Sequence, residues 1–306
     1  MTVLITGGAG FIGSHLAARL QGRARVRILD NLRTGRRENL ARLDVDFIEG
    51  SVLDLPRLTA AMAGVDRVFH LAALVSVAES VRNPHACVEL NVNGLLHVLE
   101  AAVTANVKKL CFASSAAVYG ENPTVPKRET MPPEPRSPYA VTKFDGECYC
   151  RQFTEAGRLD TVSLRFFNVF GPRQDPAGPY GAAVPIFFRE ALAGRPLHIH
   201  GDGGQTRDFI AVEDIAGALD FAAGCPGLTG VFNAGYGGHI TILELAQKII
   251  ALTGSASSIE SAPPRPGDVR HSSADISKLR AAGWTPEGTL DAGLARLLAH
   301  LRSLPI

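Results

Sequence analysis

Short apolar runs and longer amphipathic ones alternate along the first half of the chain. TVLIT (2–6) is apolar enough throughout to predict a buried strand, and FIGSHLAARL (11–20) has the three-to-four spacing of a helix. VRILD (26–30) and VDFIEG (45–50) read as strands, LPRLTAAMAG (55–64) as a helix, and DRVFHLAA (66–73) as a strand. A long amphipathic run, ACVELNVNGLLHVLEAAVTANV (86–107), leads into the strand KLCFASS (109–115). The next helix is predicted to begin at Ser137-Pro138, serine suiting an N-cap and proline the first helical position, which places Tyr139 in the first turn. TVSLRFFNVFG (161–171) reads as a sixth strand. Such alternation predicts an α/β protein with a parallel sheet covered by helices on both faces.

Beyond about residue 172 the pattern loosens. Loops rich in Pro and Gly, GPRQDPAGPYG (171–181) and PPRPGD (263–268), separate short elements. The expected organisation is a cofactor domain over 1–171 and a smaller, partly interleaved C-terminal α/β lobe over 172–306. The chain is expected to re-enter the main sheet within about 205–240, through FIAVEDIAGALDFAAG and GVFNAG.

The glycine loop GGAGFIG (7–13) follows the first strand and opens the first helix. Gly7 suits a tight turn, Gly10 a close approach of a pyrophosphate to the backbone, and Gly13 tight packing of helix on strand, while the helix amides supply an anion site. Asp30, ending the second strand, suits the ribose hydroxyls of an adenine dinucleotide, and its charge repels a 2′-phosphate. The predicted fold is therefore a Rossmann-type doubly wound sheet binding NAD in preference to NADP. Arg33, Arg36 and Arg37 nearby leave NADP as the other reading.

Composition narrows the class. Thirty-one basic against 30 acidic residues give a formal charge of +1, which implies no broad attraction to nucleic acid or anionic membrane. Five cysteines, an odd number without a CxxC pair, fit neither a disulfide framework nor a structural zinc site, so no metal is expected and a reducing compartment fits. MTVLITGG lacks the basic start and long apolar segment of a signal peptide, and no run reaches roughly 18 consecutive apolar residues. The expectation is a cytoplasmic protein.

Tyr139 and Lys143, four residues apart in YAVTK, share one helix face. A free tyrosine has a pKa of about 10, too high for a base at neutral pH. A neighbouring ammonium and a cationic nicotinamide ring both favour the phenolate. The hydroxyls of Ser114 and Ser115 stand at the end of the preceding strand, in ASSAAVYG.

TGGAGFIG, SSAAVYG and SPYAVTK together resemble the extended short-chain dehydrogenase/reductase family. The resemblance runs on through RFFNVFGPRQDP, GDGGQTRDFIAVED and RPGDVRHSSAD, and within the family the chain is similar to UDP-hexose 4-epimerases. It implies Tyr139 as catalytic base, Lys143 as its activator and nicotinamide-ribose ligand, and Ser115 as the hydroxyl on the substrate 4-oxygen, with Ser114 the neighbouring candidate. It places Phe11, Ile12, Asn31, Ser51, Val52, Leu71, Ala72, Ala73 and Asn91 around tightly bound NAD⁺. It places Ser76, Asn168, His200, Arg207, Arg265, Asp268 and Ser272 around a UDP-sugar, with Arg207 and Arg265 clamping the diphosphate, a task suited to the planar guanidinium. A homodimer formed through helices containing 86–106 and 138–156 is also implied.

Two positions depart from the family. Gly50-Ser51 stands where Gly-Asp usually reads the adenine, and His200 in LHIHG stands where an aromatic ring often stacks on uracil. Related dehydratases and decarboxylases carry an acid after the strand-tip hydroxyl, whereas here Ala116 and Ala117 follow Ser115. Alanine moves no proton, so elimination is disfavoured and epimerisation through a transient 4-keto sugar is expected. The resemblance implies that the position four after the RPGD aspartate walls the hexose; Ser272 there would leave room for a 2-N-acetyl group. Other readings are an NAD(P)-dependent nucleotide-sugar reductase or dehydrogenase, which consumes its cofactor, and a non-catalytic NAD-binding regulator, which has no need of Ser115, Tyr139 and Lys143 together.

Overall fold

A computed structural model of the chain describes residues 1–175, 182–264 and 269–304. The strands, in chain order, are β1 (Thr2–Thr6), β2 (Arg25–Asp30), β3 (Asp46–Glu49), β4 (Arg67–His70), β5 (Lys109–Ser115), β6 (Asp160–Phe166), β7 (Asn168–Phe170), β8 (Leu197–His200), β9 (Thr206–Arg207), β10 (Phe209–Ala211), β11 (Gly230–Ala234), β12 (Ile240–Thr241), β13 (Ile259–Ala262) and β14 (His271–Ser272). Seven form the main sheet in the order β11-β6-β5-β4-β1-β2-β3, every pair parallel. The sheet is a Rossmann-type doubly wound one, with the order reversing between β1 and β4, where ligands bind in such sheets. Its central strands are apolar on both faces because both are covered: Val3, Leu4 and Ile5 of β1 are fully buried.

Helix α1 (Phe11–Leu20) and the later helix Val212–Gly224 cover one face, with Leu16, Leu20, Ile215 and Leu219 in its core. The other face is covered by α2 (Leu55–Met62) and by residues of Pro84–Thr104 and Pro138–Glu155. By length and composition Pro84–Thr104 is the one stretch among the described residues apolar enough to cross a membrane. Glu89, Asn91, Asn93, His97 and Glu100 interrupt its apolar run, and Leu95, Val98, Leu99 and Ala102 pack it into this core. A π-helical turn at Glu89–Asn93 breaks its regularity.

The predicted sixth strand divides in two. After Phe166 the chain leaves β6; the Phe167 amide donates to Ala234 at 3.1 Å, and β7 pairs instead with β10. β11 completes the main sheet alongside β6, so residues 230–234 belong structurally to the cofactor half. The C-terminal lobe has a core of its own, in which Phe187, Phe188, Leu197, Leu245, Ile249, Leu294 and Leu297 come together.

Candidate active site

A cleft of about 990 Å³ runs over the carboxyl ends of the sheet strands and under the C-terminal lobe. Its wall includes Gly7, Gly10, Phe11, Ile12 and Gly13 from the glycine loop and α1. Gly7 has φ of +73°, and a Cβ there would stand 2.7 Å from the Ala72 amide nitrogen. At Gly13 a Cβ would stand 2.4 Å from the Gly7 carbonyl oxygen, so glycine alone lets α1 start this close to β1.

Asp30 binds the loop as well as facing the cleft. Its carboxylate accepts from the Ala9 amide at 2.9 Å and the Leu32 amide at 2.8 Å. Burial raises its pKa and these two donors oppose that. The three arginines after it are each engaged elsewhere. Arg33 bonds Glu79; Arg36 meets Asp175 at 2.6 Å; Arg37 meets Glu49 at 2.8 Å and lies 4.5 Å over the Phe47 ring. Among the described residues these three arginines are paired with acids rather than gathered beside Asp30, and the site fits NAD. Asn31, Ser51, Val52, Leu71, Ala72 and Ala73 complete this half of the wall. The Ser51 hydroxyl accepts from the Leu53 amide at 3.2 Å.

Asn91, Ser76 and Ser272 stand outside the wall. Asn91 is buried in the π turn, where its side chain accepts from the Leu74 amide at 2.7 Å and donates to the Leu74 carbonyl at 2.9 Å and the Thr142 hydroxyl at 3.0 Å. It thereby ties the loop after β4 to the helix that carries Tyr139. Ser76 caps the helix Val77–Arg82 by accepting from the Glu79 amide at 3.1 Å. Ser272 pairs with Arg207 between β14 and β9.

Ser114, Ser115, Tyr139 and Lys143 line the cleft together at the end of β5. The helix Pro138–Glu155 starts as its sequence predicts, with the Ser137 hydroxyl accepting from the Ala140 amide at 3.2 Å and Pro138 in the first turn. Tyr139 keeps part of its surface open to the cleft and shares its wall with Ser115, whose hydroxyl accepts from the Ala117 amide at 3.2 Å. Burial raises the phenol pKa, and the nearby Ser115 hydroxyl works against that rise. Lys143 is buried; its ammonium donates to the Ala113 carbonyl at 2.8 Å and lies 5.9 Å from the centre of the Tyr139 ring. Burial lowers the Lys143 pKa to about 8. Ser114, the other candidate hydroxyl, instead donates to Glu147 at 2.5 Å. Ala116 and Ala117 lie in the single turn that follows Ser115.

The far end of the cleft is built by the C-terminal lobe. Asn168, His200 and Arg207 all line it. Asn168 donates to the Asp208 carbonyl at 2.9 Å, and Arg207 donates to the Thr206 carbonyl at 2.8 Å. His200 Nδ1 is 2.8 Å from the Pro263 carbonyl. Arg265 and Asp268 lie outside the described residues. Sequence reasoning missed Gln205 and Arg173, which also line the cleft. Gln205 donates to the His200 carbonyl at 2.9 Å. A usable signal existed for Gln205, since it stands two residues before Arg207 in a strand-like segment and so shares its face. Arg173 carries a left-handed φ of 66°, which nothing in GPRQDP announces.

Residues 3–235 match the NAD dependent epimerase/dehydratase family. The chain is 39% identical over 312 residues to UDP-glucose 4-epimerase of Mycolicibacterium smegmatis, covering 99% of each. Its fold superposes with a TM-score of 0.95 on the UDP-N-acetylglucosamine 4-epimerase of Methanobrevibacter ruminantium, solved with UDP-N-acetylmuramic acid, at 40% identity over 99% of this chain and 98% of that one. It superposes with a TM-score of 0.91 on UDP-glucose 4-epimerase of Thermus thermophilus in complex with NAD, at 39% identity over 99% of both. With the glycine loop, Asp30 and the Tyr139–Lys143 pair assembled in one cleft, the chain belongs to the NAD dependent epimerase/dehydratase family.

Proposed function

We propose that the protein is an NAD-dependent UDP-hexose 4-epimerase. It interconverts UDP-glucose with UDP-galactose, and UDP-N-acetylglucosamine with UDP-N-acetylgalactosamine. One observation carries the reading: Tyr139, backed by Lys143, shares the cleft wall with Ser115 at a strand end whose next two positions are Ala116 and Ala117 rather than an acid. The similarity to epimerases acting on plain and on N-acetylated sugars supports both substrate pairs.

In this mechanism Tyr139, as phenolate, takes the proton of the sugar 4-hydroxyl, and the Ser115 hydroxyl holds that oxygen as it becomes a carbonyl. Lys143 supplies the fixed positive charge that keeps the phenol ionisable. NAD, held by the glycine loop, the first turn of α1 and Asp30, supplies the hydride acceptor and donor for C4 when bound. The 4-keto sugar turns about its diphosphate, which Arg207 and Arg265 grip, and Tyr139 returns the proton to the oxygen once C4 is reduced on its other face. A cofactor regenerated in each turnover would stay bound between the glycine loop and Asp30. Asn168, His200 and Asp268 contact the nucleotide sugar in this reading, while Ser76 and Ser272 act from outside the wall, Ser76 as a helix cap and Ser272 beside Arg207.

The protein acts as a homodimer, paired through the helices that contain 86–106 and 138–156; exposed Val88 and Val141 on those helices favour such a contact. The decisive experiment incubates the purified protein with UDP-glucose and with UDP-N-acetylglucosamine, without added cofactor, and resolves the sugars. Epimers are expected from both, with NAD released on denaturation. Turnover only with stoichiometric consumption of added NAD(P)H would overturn the reading.

A further inference from the structure

Tyr139, Lys143 and Glu147 are spaced by four and lie along one face of the helix Pro138–Glu155. All three meet the end of β5: Tyr139 at the Ser115 hydroxyl, Lys143 at the Ala113 carbonyl, and Glu147 at the Ser114 hydroxyl, 2.5 Å away. The mechanism uses the first two and leaves Glu147 without a task. Its carboxylate is almost wholly enclosed, the side chain being 4% exposed, and Arg165 of β6 holds it in a fork, Nε to Oε1 at 2.8 Å and Nη2 to Oε2 at 2.7 Å. Arg165 stands opposite Ser114 in the β5–β6 register and lies 4.6 Å over the Tyr119 ring. The Tyr119 hydroxyl in turn donates to Asn233 of β11 at 2.6 Å.

A buried ion pair is a poor source of stability, because removing both charges from water offsets most of their attraction. Its firm product here is geometric. Oε1 of Glu147 accepts from both Arg165 and Ser114, so the strand tip is pinned to the helix one residue before Ser115, which lines the cleft with Tyr139. We infer that Ser114 and Glu147 are positioning residues: their hydrogen bond, oriented by Arg165, sets the distance between the Ser115 and Tyr139 hydroxyls. The same bond commits the Ser114 donor to the interior and leaves Ser115 to face substrate. The rate readout of this inference rests on the epimerase reading; a second readout does not.

Ser114→Ala removes this one bond and leaves the Glu147–Arg165 pair intact, and Ser114→Thr restores a hydroxyl. In the NAD-loaded protein, Ser114→Ala is expected to keep KM and NAD content while kcat falls roughly 10- to 100-fold, the scale of a slight misplacement of reacting groups. Ser114→Thr is expected to recover most of that loss. Tyrosinate absorbance, taken as a difference against Tyr139→Phe, follows the Tyr139 phenol directly, and its titration is expected to move to higher pH in Ser114→Ala. A Ser114→Ala protein with unaltered phenol titration overturns the inference whatever the substrate proves to be. So does one whose kcat stays within twofold of the parent's. An inactive parent whose phenol titration still shifts in Ser114→Ala upholds the positioning role and overturns the sugar reading instead.

Discussion

The ammonium of Lys143 donates to the carbonyl oxygen of Ala113 at 2.8 Å, two residues before Ser115, which lines the cleft with Tyr139. One helix face thus fixes both the proposed base and its proposed counter-charge against a single strand end. With burial holding Lys143 at about 8, the ammonium is lost as pH rises through that value, and the phenolate then loses its electrostatic support. The rate of epimerisation is expected to fall above about pH 8, which a kcat–pH profile would reveal. Lys143→Met should lower kcat by about 100-fold or more, and an unchanged rate would remove Lys143 from the mechanism.

Tyr139→Phe deletes the hydroxyl and keeps the ring. Turnover is expected to drop by about 100-fold or more, while NAD released on denaturation matches the parent. Substantial residual epimerisation would show that another group moves the proton.

Gly13→Ala tests the glycine loop through backbone alone. Its Cβ would stand 2.4 Å from the Gly7 carbonyl oxygen, which belongs to the turn itself and has little freedom to retreat. Overpacking of this kind costs about 1–3 kcal/mol. The variant is expected to melt at lower temperature and to purify with much less NAD; full NAD occupancy would argue that the loop adapts.

His70, at the end of β4, is enclosed against the Thr6 hydroxyl at 2.8 Å, and burial brings its pKa down to about 3. The folded protein therefore keeps it neutral, while the unfolded chain takes up a proton below about 6.5. Its contribution is present above that value and is lost as pH falls from about 6.5 toward 3, amounting to roughly 4–5 kcal/mol at the acid end. Asp30, whose pKa burial raises, works in the opposite sense over the acid range. His70→Asn, which retains a partner for Thr6, is expected to flatten the fall in Tm between pH 7 and pH 4. An identical slope would assign acid sensitivity elsewhere.

Ser272 stands beside Arg207 across β14 and β9, at the edge of the lobe proposed to hold the sugar nucleotide. Ser272→Tyr is expected to lower kcat/KM for the N-acetylated substrate about tenfold or more, the scale on which a filled pocket discriminates, with little change for UDP-glucose. Equal losses on both would separate Ser272 from sugar selection.

What the sequence by itself determined is local. The glycine loop, the Ser137-Pro138 helix start and the four-residue step from Tyr139 to Lys143 each depend on residues within two turns of one another, and each is legible because backbone geometry at that range has few solutions. The alternation of apolar runs likewise announces the parallel sheet. The tertiary structure decided matters that hang on residues far apart in the chain. The choice between Ser114 and Ser115 is an example, because it depends on Glu147 reaching the Ser114 hydroxyl and leaving Ser115 on the cleft wall with Tyr139. The arginines after Asp30 are another: their partners Glu79, Asp175 and Glu49 come from three separate segments. The break between β6 and β7 is a third, since the Phe167 amide turns to Ala234 only once β11 lies beside β6. Strand order brings these groups together, and the hydrophobic pattern sets each strand's faces but not its neighbours.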